Sequence, residues 1–486
     1  MNFKQVWRII AYILIVEVVG MIPGFLISLA HAEITAVRGY LMSFGIIAAV
    51  IALLMITTIG AKKERFYARE GLLTTGLAWL VMSALGCLPF FLSGEIPNYV
   101  DCLFEMVSGF TTTGSSILTS VEDLPMGLLW WRSFSHWLGG MGVLVFLMAI
   151  VSLGGKNQGF TLHIMRAESP GPASGKMVPR MKQTAMILYC MYVVLTLLDV
   201  VFLLLGGMSL FEAFCCAFGT AGTGGFGVKN DSMTSYSDYL QNVTTIFMLL
   251  FSVNFSIYYL LIMKKFKDAF GDEEFKVFWI LVFACIALIS WNVRPYFDSL
   301  YKTVQQSAFT VATIISTTGY GTTDFNLWPS FSKAIIIFLM FCGACAGSTG
   351  GGIKQVRIII LFKNMRRSIH KFLHPSEVRS IQFNGRPMDE GIVENINMYL
   401  VIYVAIIIVS VLAISLDGFS FETNFTAVMA TFNNIGPGMD IIGPTSNFSM
   451  YSNLSKLVLT MDMLAGRLEI YPVLVLFSKS TWKKAR

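Results

Sequence analysis

The sequence predicts an all-α membrane protein: four span–pore loop–span repeats around a central pore, preceded by two extra transmembrane helices, about ten spans in all. Three observations predict it. Of 486 residues, 55% are hydrophobic and 13% charged, with a mean hydropathy of +0.67, whereas a soluble domain carries about a quarter charged residues. Long apolar runs recur near 9–30, 41–60, 72–93, 128–153, 184–206, 243–263, 277–293, 330–362, 393–416 and 450–478, each near the ~20 residues that cross a bilayer. Four semi-apolar segments rich in Gly and Thr fall between successive spans, at 101–118, 210–228, 303–324 and 421–443. A repeat of this kind decides the fold before any single element does.

The N-terminus carries Lys4 and Arg8 ahead of its first apolar run, and no small-residue cleavage site follows. It reads as a membrane helix that stays rather than a removed signal. With both termini cytoplasmic, only Arg38, Arg132, Lys229, Arg294, Lys302, Lys333 and Lys456 fall outside. Apart from Arg467 within the last span, the remaining Lys and Arg lie inside, which fixes the orientation. The net charge of +6 is spread along the chain and so reflects topology, not a nucleic-acid surface. The repeats divide the chain into 1–68, the leading helices, then 69–183, 184–276, 277–392 and 393–486.

The class of enzymes is excluded on composition: the spans hold no HExxH, Ser/His or paired-Asp site, and the five histidines fall mostly near span ends or in loops, as interfacial residues do. The eight cysteines lie mostly in apolar runs. Cys342 and Cys345 have CxxC spacing without a second pair, and read as small membrane-embedded residues.

The loops carry the chemistry. Their cores are Thr111-Thr112-Thr113-Gly114-Ser115, Ala221-Gly222-Thr223-Gly224-Gly225, Ser316-Thr317-Thr318-Gly319-Tyr320-Gly321 and Asn433-Asn434-Ile435-Gly436-Pro437-Gly438. Each follows a mostly apolar stretch too short to span: 102–110, 211–218, 307–315 and 425–432. Non-helical backbone at membrane depth is tolerated only where it faces protein or a watery cavity. A short helix that enters halfway and returns as an extended strand meets that condition. Four such strands around one axis stack carbonyl oxygens into rings that replace the hydration shell of a monovalent cation. Helix C-termini aimed at the cavity add negative potential. The third loop is close to the TVGYG filter of potassium channels. The candidate filter residues are Thr112, Thr113 and Gly114; Gly222, Thr223 and Gly224; Thr317, Thr318 and Gly319; and Asn434, Ile435 and Gly436.

The eighth run is interrupted by Gly343, Gly347, Gly350, Gly351 and Gly352, with Ser348 and Thr349 between them and Lys354 just after. Each glycine costs a helix about 1 kcal/mol against alanine, so two half-helices joined by an intramembrane loop are expected. Two readings stand: a gate across the path, or glycines for close helix packing. A phosphate loop fails, because Ile353 stands where the lysine is required. Asp462, Arg467 and Glu469 place charge in the last apolar run. Such charge faces the bundle interior. Arg467 is either an electrostatic barrier below the filter or one half of a structural pair with Glu469 or another carboxylate. Glu105 and Glu212 read as stabilising pore-helix N-termini. The inside segments 154–183 and 363–392 either dock a partner or simply obey the positive-inside rule.

Residues 69–478 resemble the Trk-type potassium uptake membrane subunits of the TrkH kind, within the Trk/Ktr/HKT superfamily. The resemblance rests on seven blocks in order: Arg69-Glu70-Gly71, the first loop from Ser108 to Ser115, Trp137-Leu138-Gly139-Gly140-Met141-Gly142, the run from Arg166 to Pro172, the run from Cys345 to Gly352, the fourth loop, and Gly466-Arg467-Leu468-Glu469. It implies potassium uptake across a bacterial inner membrane. It implies a homodimer with one pore per subunit in the lipid bilayer, regulated by a cytoplasmic nucleotide-binding ring of the TrkA type. No covalent cofactor is implied; potassium is the substrate, and a nucleotide (ATP/ADP or NAD) acts only through that partner. The alternative is a sodium- or proton-coupled symporter of the Ktr kind. By the same resemblance Gly114, Gly224, Gly319 and Gly436 are the filter glycines. Sodium-carrying relatives often have serine at the first, so Gly114 argues for potassium. The gate role of the Gly-rich loop and the pore-facing role of Arg467 also follow from it. Gly222-Thr223 departs from the common pattern and implies looser selectivity at the second loop.

Overall fold

The computed structural model describes residues 3–59, 68–140, 142, 181–377 and 379–482. The basic segment 154–180, the block from Arg166 to Pro172 and the C-terminal cations Lys483, Lys484 and Arg486 lie outside the described residues. Two leading helices, α1 (Phe3–Ala30) and α2 (Ile34–Thr57), pack on each other. Val19, Leu26, Leu53 and Ile56 stay exposed on them, as apolar side chains do where the solvent is hydrocarbon.

Each repeat then supplies a long helix, a short buried one and a second span. The first repeat has α3 (Ala68–Gly86) and α4 (Leu88–Ser93), then α5 (Tyr99–Phe110) and α6 (Met126–Gly140). The second has α7 (Met181–Leu205), α8 (Leu210–Gly222), α9 (Asp238–Ser252) and α10 (Phe255–Ile262), leading through α11 (Phe266–Gly271) to the third. The third has α12 (Glu273–Val293), α13 (Leu300–Ile315), α14 (Ser330–Cys342) and α15 (Gln355–Leu373). A hairpin of β1 (Gln382–Phe383) and β2 (Arg386–Pro387) precedes the fourth, which has α16 (Glu390–Ile414), α17 (Phe421–Phe432), α18 (Asn453–Arg467), α19 (Tyr471–Phe477) and α20 (Lys479–Trp482).

The four short helices are α5, α8, α13 and α17, and each contains the stretch expected for it. Each begins at a capping side chain, Asn98, Ser209, Ser299 and Ser420 respectively, which satisfies an orphan N–H of the first turn. Glu212 completes a capping box with Ser209, as expected of a stabiliser at the helix start. Glu105 differs: it sits midway along α5, buried, and pairs with Arg132.

Six described helices are long and apolar enough to cross a membrane, or seven if α9 and α10, bent by 90°, count as one. The difference from ten runs lies in the second span of every repeat. Helices α6, α9, α14 and α18 run for only 15, 15, 13 and 15 residues. At ~1.5 Å per residue they cover about 20–22 Å, short of the ~30 Å hydrocarbon core. Only the eighth run was expected to break. One of the four, α9, continues as α10 after a 90° bend. Asn254 caps α10 after the bend, Gly343 at φ 63° ends α14, and Glu469 and Ile470 at φ 57° and 67° end α18.

Candidate functional site: a ring of four return loops

The four loops share one backbone path. Thr112, Thr223, Thr317 and Asn434 sit in the left-handed region at φ 55°, 57°, 60° and 55°. The N–H of the next residue reaches back five residues to a helix carbonyl: Thr113 to Ser108, Gly224 to Gly219, Thr318 to Thr313 and Ile435 to Ala430, all at 2.8–2.9 Å. This wrap stops a helix and turns the chain back. Two residues after each left-handed residue comes a glycine at positive φ: Gly114 (82°), Gly225 (74°), Gly319 (87°) and Gly436 (100°).

This geometry sets the second loop one residue further on than expected. Gly225, not Gly224, is in register with Gly114, Gly319 and Gly436. Thr223 aligns with Thr112 and Thr317, and Gly222 is the last helical residue of α8. In this register Gly224 lies level with Thr113, Thr318 and Ile435, so the second loop differs from the others at that position.

The glycines close the loops into a ring. A methyl on Gly114 would run into the carbonyl oxygen of Gly224, one on Gly225 into that of Thr318, and one on Gly319 into that of Ile435. On Gly436 it would meet the carbonyl of Thr113 at 2.8 Å. Each glycine thus packs on the residue before the glycine of the next loop, in the order one, two, three, four and back to one. Only a residue without Cβ allows that approach.

Each joint between loops is held differently. Between the first and second, Glu105 and Arg132 form a buried pair at 2.7 Å. Arg132 also donates to the Gly227 carbonyl at 3.1 Å and lies 3.5 Å over the Phe226 ring. His136 donates from Nδ1 to the Gly109 carbonyl at 2.7 Å and accepts the Phe226 N–H at Nε2 at 3.2 Å. Its two partners require the neutral Nδ1–H form. Between the second and third, the Tyr320 hydroxyl donates to the Cys216 carbonyl at 3.0 Å, and Gln306 bridges Gln241 and Thr322. Asn326 exchanges hydrogen bonds with Asp440 between the third and fourth. The Ser115 hydroxyl donates to the Gly436 carbonyl at 3.0 Å between the fourth and first. His136, expected at an interface with water, is fully buried. The sequence signal for Arg132 was a charge inside an apolar run, which topology alone had absorbed.

The Gly-rich loop lies directly against the ring. The Gly351 N–H donates to Thr317 Oγ1 at 2.7 Å. A methyl on Gly350 would meet the Ser316 carbonyl at 2.8 Å, and one on Gly351 would run into that of Asn433. On its far side the loop bonds to the end of α9: the Cys345 N–H donates to the Ser252 carbonyl at 3.1 Å, and the Phe255 N–H donates to the Gly347 carbonyl at 3.1 Å. Lys354 folds back onto the Gly350 carbonyl. Arg467 donates to the Thr349 carbonyl at 2.6 Å and to the carbonyls of Gly139 and Gly140 at 2.7 Å each. It thereby joins the loop to the end of α6. Glu469, one of the partners considered for it, pairs with Arg357.

Four half-entering helices with their return strands closed into one ring, inside a bundle of apolar helices, define a pore-loop membrane protein. The profile of the TrkH family, described as cation transport proteins, matches residues 40–484, and the chain belongs to this family. It is 34% identical to the Trk system potassium uptake protein TrkH of Escherichia coli K12, with each chain covered in full. It is 30% identical to the Trk system potassium uptake protein TrkI of Halomonas elongata, over 99% of this chain and 98% of that one. The crystal structure of the potassium transporter TrkH from Vibrio parahaemolyticus superposes with a TM-score of 0.87 at 29% identity, covering 99% of this chain and all of that one.

Proposed function

We propose that the chain takes up potassium through the ring, which acts as a carbonyl-lined filter. The observation that carries this reading is the closed cycle of glycine-on-carbonyl contacts, which sets four equivalent strands around one axis. The filter residues are then Thr112, Thr113 and Gly114; Thr223, Gly224 and Gly225; Thr317, Thr318 and Gly319; and Asn434, Ile435 and Gly436. Thr112 Oγ1 supports a ligand there, because it is buried and no described residue hydrogen-bonds to it. Stacked carbonyls substitute for the hydration shell of a monovalent cation, and the C-termini of α5, α8, α13 and α17 add negative potential. Relatives named as potassium uptake proteins and aligned end to end support potassium as the cargo.

In this reading the 343–352 loop is the gate, closed under the third and fourth strands and held by Lys354 and Arg467. The guanidinium of Arg467 adds a barrier to cations at that level. The protein works as a homodimer in a bacterial inner membrane with both termini cytoplasmic. A TrkA-type nucleotide-binding ring regulates it from that side, and the basic face near Arg366 and Arg367 docks it.

The test is flux into liposomes holding the purified chain alone. Potassium flux well above sodium flux is expected. Arg467→Ala removes three charge-assisted hydrogen bonds, each worth about 1.5–3 kcal/mol. It should raise basal potassium flux about tenfold or more. Parent-level flux in this variant overturns the gate, and equal potassium and sodium flux in the parent overturns the filter.

Coupling to protons or sodium is the second reading. It is favoured by Glu17 and Asp199, whose buried carboxylates have no hydrogen-bond partner among the described residues. A reversal potential that moves with a proton or sodium gradient selects it.

A further inference from the structure

One carboxylate ties the two ends of the Gly-rich loop together, and it belongs to a different helix. Glu274, the second residue of α12, is 4% exposed. Its Oε1 accepts the N–H of Ala346 at 2.7 Å and the N–H of Val356 at 3.0 Å. Ala346 lies in the first half of the loop, and Val356 lies beyond it, at the start of α15. The loop runs through positive φ at Gly343, Gly347 and Gly352. Its ends are also joined directly, by the Gln355 N–H on the Ala344 carbonyl at 3.1 Å and by Gln355 Nε2 on the Gly343 carbonyl at 3.0 Å, and Glu274 adds a restraint on that junction from another helix. A charge-assisted acceptor shared by two backbone donors in a buried site is a strong restraint.

The neighbouring residues of α12 are gripped from outside the bundle. Asp272 caps the helix by accepting the Phe275 N–H at 2.9 Å. The tip of the β1–β2 hairpin, Asn384-Gly385 at φ 51° and 70°, is the two-residue turn that Asn-Gly favours. Asn384 Nδ2 donates to Asp272 Oδ2 at 2.7 Å, its Oδ1 accepts the Glu273 N–H at 2.8 Å, and its N–H donates to Glu273 Oε1 at 3.0 Å. Lys363 of α15 pairs with Glu273 and donates to the Gln382 carbonyl at 2.7 Å. One unbroken run, Asp272-Glu273-Glu274, thus meets an exposed hairpin with its first two residues and the loop with its third.

We propose that Glu274 is a positioning residue of the gate. Its carboxylate holds the 343–352 loop in the blocking arrangement, and the hairpin is the handle through which a cytoplasmic event loosens that hold. This rests on reading the loop as the gate. Moving the hairpin rotates or withdraws the first turn of α12, and the two N–H donors lose their shared acceptor. The filter is untouched, because no contact of Glu274 given above reaches the four return strands.

The experiment compares parent, Glu274→Ala, Glu274→Gln, Asn384→Ala and a variant with the 343–352 segment shortened, each reconstituted alone, by potassium and sodium flux. Glu274→Ala is expected to raise potassium flux about tenfold with the potassium-to-sodium ratio unchanged. Glu274→Gln keeps an acceptor oxygen and should fall between it and the parent. Asn384→Ala, exposed and away from the membrane interior, should raise flux in the same direction by a smaller factor. It keeps the proposal falsifiable where Glu274→Ala does not fold. Raised flux in the shortened variant with parent-level flux in Asn384→Ala and in every folded Glu274 variant overturns the role of Glu274 and leaves the gate standing. A shortened variant whose potassium flux is no higher than the parent's overturns the gate and this role with it. A Glu274 variant that loses the ion ratio overturns the proposal too, because it places the residue in the filter.

Discussion

Gly225→Ala is expected to lower potassium flux at least about tenfold and to erode the preference over sodium. Two effects add. Gly225 holds φ 74°, and a side chain in the left-handed region costs about 1–2 kcal/mol. Its new methyl would also run into the Thr318 carbonyl oxygen. A side chain in the way could rotate, but a backbone oxygen moves only with its strand. Displacing the Thr318 carbonyl alters one ring of the proposed filter and presses on the third loop, whose own glycine rests against Ile435. One tenfold step corresponds to about 1.4 kcal/mol, so the conformational term alone accounts for it. Gly224→Ala makes the useful contrast. Its methyl faces the imidazole of His136 at 2.4–2.6 Å, so its damage arrives through a side chain. Potassium and sodium uptake into liposomes reads both variants. A parent-like Gly225→Ala beside a crippled Gly224→Ala would restore the original pairing of the loops.

That contrast shows what the chain discloses by itself. The second loop holds Gly222, Gly224 and Gly225 within four residues, and spacing cannot choose among them. The choice is made by which residue turns left-handed, and Thr223 does so because α8 runs on to Gly222. The first loop has one glycine in its core, and in the third and fourth the second glycine, Gly321 or Gly438, follows a bulky Tyr320 or Pro437, so the glycine directly behind the two polar or apolar residues is the one in register. The break after α14 was equally legible, since five glycines in ten residues cannot propagate a helix. The breaks after α9 and α18 were not. One is made by an Asn254 cap and the other by Glu469 and Ile470 at positive φ. No local glycine or proline run announces either. The partner of Glu469 was also beyond local reading: it is Arg357, 112 residues earlier.

The same limit explains why the joints of the ring surfaced only in three dimensions. A single chain that repeats a unit four times is free to hold each joint with different chemistry. Here a charge pair with a histidine, a tyrosine with a glutamine bridge, an asparagine–aspartate exchange and a serine–carbonyl bond do the same job. Each pair joins residues from different repeats or different helices, so periodicity within any one helix carries no trace of it. Glu105 and Arg132 are 27 residues apart, one near the middle of a short helix and one on the span that follows.

Arg132→Leu is expected to produce the largest loss of stability of any single change at the ring. Arg132 and Glu105 are 3% and 1% exposed, and removing one partner of a buried pair leaves a charge without compensation, a cost of about 3–5 kcal/mol. Glu105 would keep its bonds from the Ser116 hydroxyl and the Ile117 N–H, each at 2.9 Å. These come from the outgoing limb of the first loop, so the stranded carboxylate would pull on that limb. The Gly227 carbonyl and the Phe226 ring would lose their cation as well. In detergent, thermal unfolding of the variant should begin about 3–5 °C lower, at roughly 1 °C per kcal/mol for a chain of this length. The double variant Glu105→Gln, Arg132→Leu removes both charges together and should recover part of that loss, because the pair's attraction largely offsets its own desolvation. The difference between the double change and the sum of the single ones measures the coupling. A single variant melting within about 2 °C of the parent would show that the first and second loops are held by His136 and close packing instead. If the pair does hold them, the double variant should recover melting temperature without recovering ion preference, since neither new side chain spans from Ser116 to Gly227.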